Sequence, residues 1–164
     1  MNPSPNIRSL TQALLYSGIG LLEATNLSVG RGTDMPFEVV GAPWIEPVGL
    51  ADALNREKLP GVRFEPVRFT PTGNVYARAL CGGVRFVVTD REAIRPVTVA
   101  FALAAALRVR HRDQFKPEGI QNLLVNRSTM WAFLRDEPRE RLLAWSDAER
   151  ASFMSRRAQY LLYR

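Results

Sequence analysis

The segment "RPVTVAFALAAALR", residues 95–108, constrains the fold more than any other part of the chain. Pro96 fits the first turn of a helix, where its missing N–H removes no hydrogen bond. The residues after it are apolar nearly all round a helix, so we expect this helix to lie buried at the centre of the molecule. The basic cluster Arg108–Arg112 follows at its end, where cations complement the negative end of the helix dipole.

The segments before this helix have the pattern of strands, and those after it have the pattern of helices. Apolar residues alternate in "VRFEPVRF" and "GVRFVVTD", with a slip at Pro66 that a bulge or an edge strand would explain. This distribution predicts an α+β fold. A small mixed or antiparallel sheet in the first half would pack against the buried central helix and a helical C-terminal tail.

The helical tail contains the segments "MWAFL", "RERLLAW" and "SDAERASFMSRRAQYLL". A capping box from Ser146 to Glu149 predicts the start of the last helix. Helical spacing favours a core position for Trp131, Phe133 and Trp145. The last helix is expected to carry one apolar stripe, made of Ala151, Met154, Ala158 and Leu161.

The N-terminal part of the chain predicts a short helix followed by a strand. Ser9 and Gln12 have the spacing of a capping box, and Gly18 and Gly20 should end the helix. Its inner side is expected to carry Leu10, Ala13 and Leu14. The segment "IGLLEATNLSV" then has the character of a short strand, and "GLADALNREKLPG" that of an amphipathic helix ending at Gly61.

Length and composition favour one domain, residues 1–164. The chain has 164 residues, of which 46% are hydrophobic, enough for one ordinary core. No apolar run is long enough to span a bilayer, and the start lacks the features of a secretory signal. We therefore expect a cytoplasmic protein, or an extracytoplasmic one if the true start lies upstream.

The sequence gives little indication of a metal site, a disulfide or a nucleic-acid-binding site. Cys81 and His111 are the single cysteine and histidine, so no internal disulfide and no zinc-type ligand set can form. We expect no metal and no cofactor. The net charge of +6 can attract anionic partners. Because no aromatic residues interleave the basic cluster, it is assigned to a helix end rather than to nucleic-acid binding.

The loop "SVGRGTD" is the first candidate for binding. Gly30 and Gly32 flank Arg31 and let the backbone approach a ligand, while the guanidinium presents a planar set of donors to a carboxylate or a sugar. The spacing fits neither a Walker loop nor a Rossmann fingerprint. A purely structural loop, in which Arg31 pairs with Asp34 or Glu38, is equally compatible with the pattern.

Two other features add candidate groups. Glu23 lies in an apolar segment, where a carboxylate needs partners or a raised pKa, so it could handle protons or could accept N–H bonds from the glycine-rich loop. The stretch from Phe69 to Val84 offers Thr72, Asn74 and Tyr76 as hydrogen-bonding groups. Tyr76 could stack on a sugar or lie in the core. Cys81 has the pattern of a small buried hydrophobe rather than a nucleophile.

Six segments occur in a specific order: "PSPN", "LLEATNLSVGRGTDMPFEVVGAPWI", "LPGVRFEPVRFTPT", "CGGVRFVVTDR", "RPVTVAFALAAALR" and "YLLY". Together they closely resemble the C-terminal part of the exo-β-N-acetylmuramidase (NamZ-type) glycoside hydrolases, over essentially the whole chain. In that family this domain follows a Rossmann-like N-terminal domain, and the active site lies in the cleft between them. Family members release terminal N-acetylmuramic acid from the non-reducing ends of peptidoglycan fragments.

The resemblance implies substrate-binding roles for residues of the two loops. One wall of the cleft would be lined by Asn26, Ser28, Arg31 and Thr33. Arg31 would bind the lactyl carboxylate of muramic acid, and its neighbours the ring hydroxyls and the acetamide. Thr72 would add a hydrogen bond and Tyr76 a contact with the sugar ring. Glu23 would have an auxiliary catalytic role, in orientation or proton transfer.

Two departures from the family pattern bear on activity. Gly73, Asn74 and Val75 stand where the family typically has an aromatic residue and a lysine, and Ala24 replaces a glycine. The principal catalytic carboxylate is expected on the Rossmann-like half, in trans or on a longer chain, so we expect no turnover by these residues alone. The uncovered cleft wall could also favour a homo-oligomer.

Two functions of other classes stay open. The missing ring and lysine near Val75 are compatible with a non-catalytic interaction module that retains the fold. The Arg-rich helices are compatible with nucleic-acid binding, whose affinity would fall steeply with salt concentration.

Overall fold

The computed structural model describes residues 4 and 6–162 and, in the last long helix, only some of the side chains. The chain divides into two compact units, Met1–Val125 and Asn126–Arg164. Elements of the first unit are α1 (Leu10–Ile19), a 3-10 helix (Gly20–Ala24), β1 (Val39–Ala42), α2 (Pro47–Arg56), β2 (Val62–Phe69), β3 (Cys81–Val88), α3 (Pro96–Arg110), a 3-10 helix (Pro117–Gly119) and α4 (Ile120–Leu124). The second unit has α5 (Arg127–Leu134), α6 (Arg139–Arg157) and a 3-10 turn (Ala158–Tyr160).

The sheet of the first unit confirms the predicted α+β class. Its three strands have the order β1-β3-β2, and both pairings are antiparallel. Phe64 on β2 lies opposite Phe86 on β3, and their rings pack edge to face with centroids 5.8 Å apart. Helix α2 packs on β2 and β3. Burying these aromatic side chains is a main source of stability for such a small sheet.

Helix α3 is the central buried helix that the sequence predicts. Its residues 99–104 and Leu107 are all buried, and it packs against α1 and α2. Arg108 and Arg110 lie in its last turn, as expected for cations at the negative end of a helix. Although α3 is apolar, no helix among the described residues is both long and apolar enough to cross a membrane.

Helix α1 begins where the sequence predicts but turns a different face to the core. The Ser9 side chain accepts a hydrogen bond from the Gln12 N–H, which confirms the N-cap. Leu10 is 73% exposed and Ala13 is exposed, whereas Leu15 and Ile19 are buried. The predicted inner side is therefore wrong for Leu10 and Ala13, whereas Leu14 is half-buried. Helix α1 packs against α3, and Leu15 and Ile19 are fully buried.

The predicted strand "IGLLEATNLSV" is wrong in its first half. Gly18 does not end α1, which continues to Ile19; Gly20 is its C-cap, as predicted, and also begins the 3-10 helix Gly20–Ala24. Within this segment the extended pairing lies near its end, where Ser28 forms an isolated bridge with Gly41. A run of apolar residues satisfies a buried helical turn as well as a strand, so periodicity could not distinguish the two.

Two smaller predictions need correction around the sheet. The pairing of β2 with β3 runs without interruption from Val62↔Val88 to Phe69↔Cys81, so Pro66 introduces no bulge. It is tolerated because β2 is an edge strand, the alternative that the sequence also allowed. Helix α2 ends at Arg56, before the predicted stop at Gly61.

The second unit is helical, as predicted, but its apolar stripe is exposed. Helix α6 runs without a break from Arg139 to Arg157, so the segment at Ser146 does not begin a helix. The side chains of Trp145 and Ser146 lie outside the described set. Phe133 is buried as predicted, whereas Trp131 is 63% exposed. The four stripe residues, Ala151, Met154, Ala158 and Leu161, are all exposed.

Candidate functional site

A surface hollow of about 340 Å³ lies in the first unit, beside the glycine-flanked arginine. It is lined by Glu23, Ala24, Leu27, Ser28, Val29, Arg31, Asn74, Val75 and Leu123. Three pieces of chain contribute these side chains: residues 23–31, the loop between β2 and β3, and helix α4. Three of the predicted site residues, Glu23, Ser28 and Arg31, therefore meet at one hollow.

The charged part of the hollow is a direct ion pair. Arg31 Nη1 donates to Glu23 Oε1 at 2.7 Å, and the two side chains are 39% and 23% exposed. Glu23 stands on the first 3-10 helix, whose short turn directs it toward the loop. The contact is single rather than bidentate, and Arg31 Nε is buried with no hydrogen-bond partner among the described residues.

The glycines around Arg31 are required by the backbone. Gly30 and Gly32 have φ of 79° and 81°, in the left-handed region that glycine adopts without strain. A Cβ at Gly32 would lie 2.6 Å from the backbone nitrogen of Gly73. The loop that carries Arg31 therefore packs backbone to backbone against the loop that carries Asn74.

The structure corrects the partner proposed for a purely structural Arg31. Its partner is Glu23, and neither Asp34 nor Glu38 is hydrogen-bonded to it. Asp34 lies 4.0 Å from Arg8, and Glu38 Oε1 accepts a hydrogen bond from the Gln12 side-chain amide at 2.9 Å. Glu23 thus binds the arginine side chain of the loop, not the loop N–H groups that the alternative required.

Asn26 and Tyr76 do not line the hollow but hold its two walls together. The Asn26 side chain donates to Gln114 O at 2.7 Å and accepts from Lys116 N at 2.8 Å. The Tyr76 hydroxyl donates to Asn26 O at 3.1 Å and accepts from the Trp44 indole N–H at 3.2 Å. Asn26, which the resemblance assigns to substrate, is thus bonded to the protein backbone, as is the Tyr76 hydroxyl.

Ser28, Thr33 and Thr72 stabilise the loops through the backbone. Ser28 is buried and exchanges two backbone hydrogen bonds of 2.9 Å with Gly41 on β1. The Thr33 hydroxyl donates to Gly30 O at 2.6 Å. The Thr72 hydroxyl and Thr72 N both donate to Gly32 O at 2.8 Å, which ties the two loops together at their outer end.

The loop between β2 and β3 is held in an unusual conformation. Asn74, Tyr76 and Arg78 have φ of 63°, 61° and 65°, although only asparagine among them adopts this region readily. Tertiary bonds offset that cost, including the one from Arg78 N to Pro71 O at 2.8 Å. The strained backbone therefore lies in the loop that contributes Asn74 and Val75 to the hollow.

Several lining residues were not among the sequence candidates. Leu27, Val29 and Leu123 are ordinary apolar residues, and Leu123 is far from the others in the sequence. No sequence signal marks them. Asn74 is one of the hydrogen-bonding groups that the sequence offers. The one local sign of its position is that asparagine, here beside Gly73, tolerates the left-handed conformation.

Cys81 is buried as predicted and takes no part in the site. Burial raises the pKa of its thiol, and the side chain packs with Val39 and Phe69. We expect Ellman's reagent to modify the native chain about a hundredfold more slowly than the urea-unfolded chain, because the reactive thiolate is both scarce and covered. Equal rates in the two states, followed by the absorbance of the released thiolate, would contradict this assignment.

Among the described residues, the remaining titratable groups form no second candidate site. Burial lowers the pKa of His111, which contacts the Trp44 ring at 5.1 Å between centroids. Within the described part of the chain, no group of three or more His, Cys, Asp or Glu residues is placed to hold a metal ion. A hollow in the second unit, lined by residues that include Phe153, Arg156 and Tyr160, contains no carboxylate.

Comparison with known proteins gives concordant matches. Residues 14–163 match the family model described as the C-terminal part of the exo-β-N-acetylmuramidase NamZ. The peptidoglycan β-N-acetylmuramidase NamZ of Bacillus subtilis (strain 168) is 39% identical over 114 residues, which are 70% of this chain and 28% of that protein. The chain therefore spans about a quarter of the length of this curated relative.

Two solved structures share the fold. Both are DUF1343 family proteins of Bacteroides fragilis NCTC 9343, each 25% identical to this chain. One has a TM-score of 0.87, with 98% of this chain and 44% of that chain covered. The other has a TM-score of 0.71, with 99% and 43% covered.

Proposed function

Since this chain belongs to the family of exo-β-N-acetylmuramidase NamZ C-terminal domains, we propose that it forms one wall of a site for terminal N-acetylmuramic acid of peptidoglycan fragments. The site is the hollow beside Arg31. The complete enzyme would be a glycoside hydrolase that acts on cell-wall material.

The observation that carries the proposal is the Glu23–Arg31 pair at the edge of an accessible hollow. Both side chains are partly exposed, so their polar atoms are available to a ligand. The rest of the lining is small, polar or aliphatic, which suits an amino sugar with hydroxyl and acyl substituents. The hydrogen bonds from Tyr76 and Thr72 fix the two walls, so little conformational freedom is lost on binding.

Hydrolysis needs a group that the hollow does not contain. Glycosidases generally use two carboxyl groups on opposite sides of the scissile bond. Glu23 is the one carboxylate among the residues that line the hollow. We therefore assign Glu23 an auxiliary role, in orienting Arg31 or moving a proton, and place the principal carboxylate on a Rossmann-like half, in the same protein or a separate chain.

Removal of Arg31 should weaken sugar binding by about tenfold, as expected for one lost hydrogen bond from a charged donor. Arg31→Ala would also leave the Glu23 carboxylate unpaired beside an anionic sugar. Isothermal titration calorimetry with N-acetylmuramic acid measures the change, with glucose as a sugar that lacks both the acetamido and the lactyl group.

Arg63→Ala is the matched control, because Arg63 also pairs with a glutamate, Glu65, but on the edge strand β2. Its affinity for N-acetylmuramic acid should stay within about twofold of the parent chain. The proposal fails if the folded parent binds N-acetylmuramic acid no better than glucose. That result would favour an interaction module that retains the fold without the sugar site.

A further inference from the structure

The hollow has no net charge, which limits the part of a muramyl sugar that it can receive. Glu23 and Arg31 are the charged residues of its lining, and they neutralise each other across 2.7 Å. The sequence assigned Arg31 to the lactyl carboxylate. A second carboxylate in this position would compete with Glu23 for the guanidinium and would lie close to the Glu23 charge, which disfavours its ionised form.

The same ion pair offers a donor and an acceptor side by side. Arg31 uses Nη1 for the pair, and Glu23 uses Oε1. The second carboxylate oxygen of Glu23 accepts no hydrogen bond from a described residue. A secondary amide can bond to either group: its carbonyl oxygen can accept from the guanidinium, or its N–H can donate to the carboxylate, because the trans amide directs these two groups in opposite directions.

The apolar part of the hollow completes the match to an acyl group. Ala24, Leu27, Val29, Val75 and Leu123 contribute five of its nine lining side chains. A methyl group gains free energy when it is placed against such a surface, whereas a carboxylate loses hydration there. A volume of about 340 Å³ is near the lower limit for ligand pockets, and therefore suits a substituent and part of one ring.

We propose that the hollow is an acetamido subsite, which binds the N-acetyl group of the sugar and leaves the lactyl carboxylate outside. This proposal rests on the proposed function and specifies the orientation of the sugar within the same site. In this orientation the carbonyl oxygen of the amide accepts from Arg31, its N–H points away from that contact, and the methyl group contacts Val29 and Val75. An uncharged lactyl group, as in peptide-bearing fragments, would be accepted equally well.

Saturation-transfer difference NMR tests the orientation on the unmodified chain. N-acetylmuramic acid carries two methyl groups, one on the acetamide and one on the lactyl ether, so each molecule contains its own reference. We expect the acetamido methyl to receive at least about twice the saturation of the lactyl methyl, because it would be the buried one. Stronger saturation of the lactyl methyl would overturn the proposal.

The methyl ester of N-acetylmuramic acid provides a second test, because its lactyl group is uncharged. Its affinity for the parent chain should lie within about twofold of that of the free acid. Glu23→Gln should change this ratio, because it removes the negative charge that neutralises Arg31. The free acid should then bind about fivefold more tightly than the ester.

The possible outcomes separate the two proposals. If the parent chain already binds the acid about tenfold more tightly than the ester, the site exists but recognises the carboxylate, and the acetamido assignment is wrong. If neither compound binds better than glucose, the proposed function itself fails. The comparison of acid and ester on the parent chain decides the question even if Glu23→Gln does not fold.

Discussion

Gly119→Ala is expected to lower the free energy of unfolding by about 3 kcal/mol, as overpacking of a rigid contact does. Gly119 ends the second 3-10 helix, and a Cβ on it would overlap the carbonyl oxygen of Ala24. Both partners belong to backbone held in helical turns, so neither can move aside cheaply. Urea unfolding, followed by circular dichroism, measures the loss.

The same substitution should also weaken sugar binding, since Ala24 and Leu123 both line the hollow. Gly73→Ala is the matched control: its φ is not in the left-handed region, and a Cβ there would meet no atom within 4 Å. Its stability should stay within about 0.5 kcal/mol of the parent chain. A Gly119→Ala variant as stable as Gly73→Ala would show that this backbone contact is not tight.

Asn26→Ala should lower the free energy of unfolding by about 2 kcal/mol, because two backbone groups lose their hydrogen-bond partner. These groups are the carbonyl of Gln114 and the N–H of Lys116, which the Asn26 side chain joins to the loop before Arg31. Tyr76 is hydrogen-bonded to the backbone of the same residue, so the loosened segment includes both walls of the hollow. Weaker binding of N-acetylmuramic acid should therefore accompany the loss of stability.

Asn55→Ala separates stability from binding. Asn55 makes the same pair of hydrogen bonds, to the N–H and the carbonyl of Phe64, but on α2 and β2. We expect a similar or smaller loss of stability and an unchanged affinity for the sugar. If Asn55→Ala weakened sugar binding as much as Asn26→Ala, the effect of Asn26 would be a general consequence of reduced stability.

The features of the fold that could be predicted are those decided by neighbouring residues. Ser9 caps α1 because its side chain reaches the N–H three residues on. The apolar sequence after Pro96 had to form a buried helix, and on β3 the buried Val84 and Phe86 lie on either side of the exposed Arg85. By contrast, the inner face of α1 and the exposure of Trp131 depend on which elements lie beside them, and these were predicted incorrectly.

The residues of the candidate site also fall into two groups, those that the local sequence indicates and those that only packing brings to the hollow. Glu23, Ser28 and Arg31 could be found from the sequence, because the glycines around Arg31 and an acid within an apolar segment are local signals. Leu123 could not be found, since it reaches the hollow only through the packing of α4 against the first 3-10 helix. The hydrogen bonds of Asn26 and Tyr76 to the protein backbone could not be predicted either, because their partners are far from them in the sequence.

The sequence by itself determined the family to which the chain belongs, the central helix and the glycines on both sides of Arg31. Each of these depends on residue types in a fixed local order. Only the tertiary structure decided that the guanidinium is paired with Glu23 and that the hollow beside it is neutral. The physical reason is that hydrogen bonds and ion pairs depend on distances between atoms, and those distances are set by how separate elements pack.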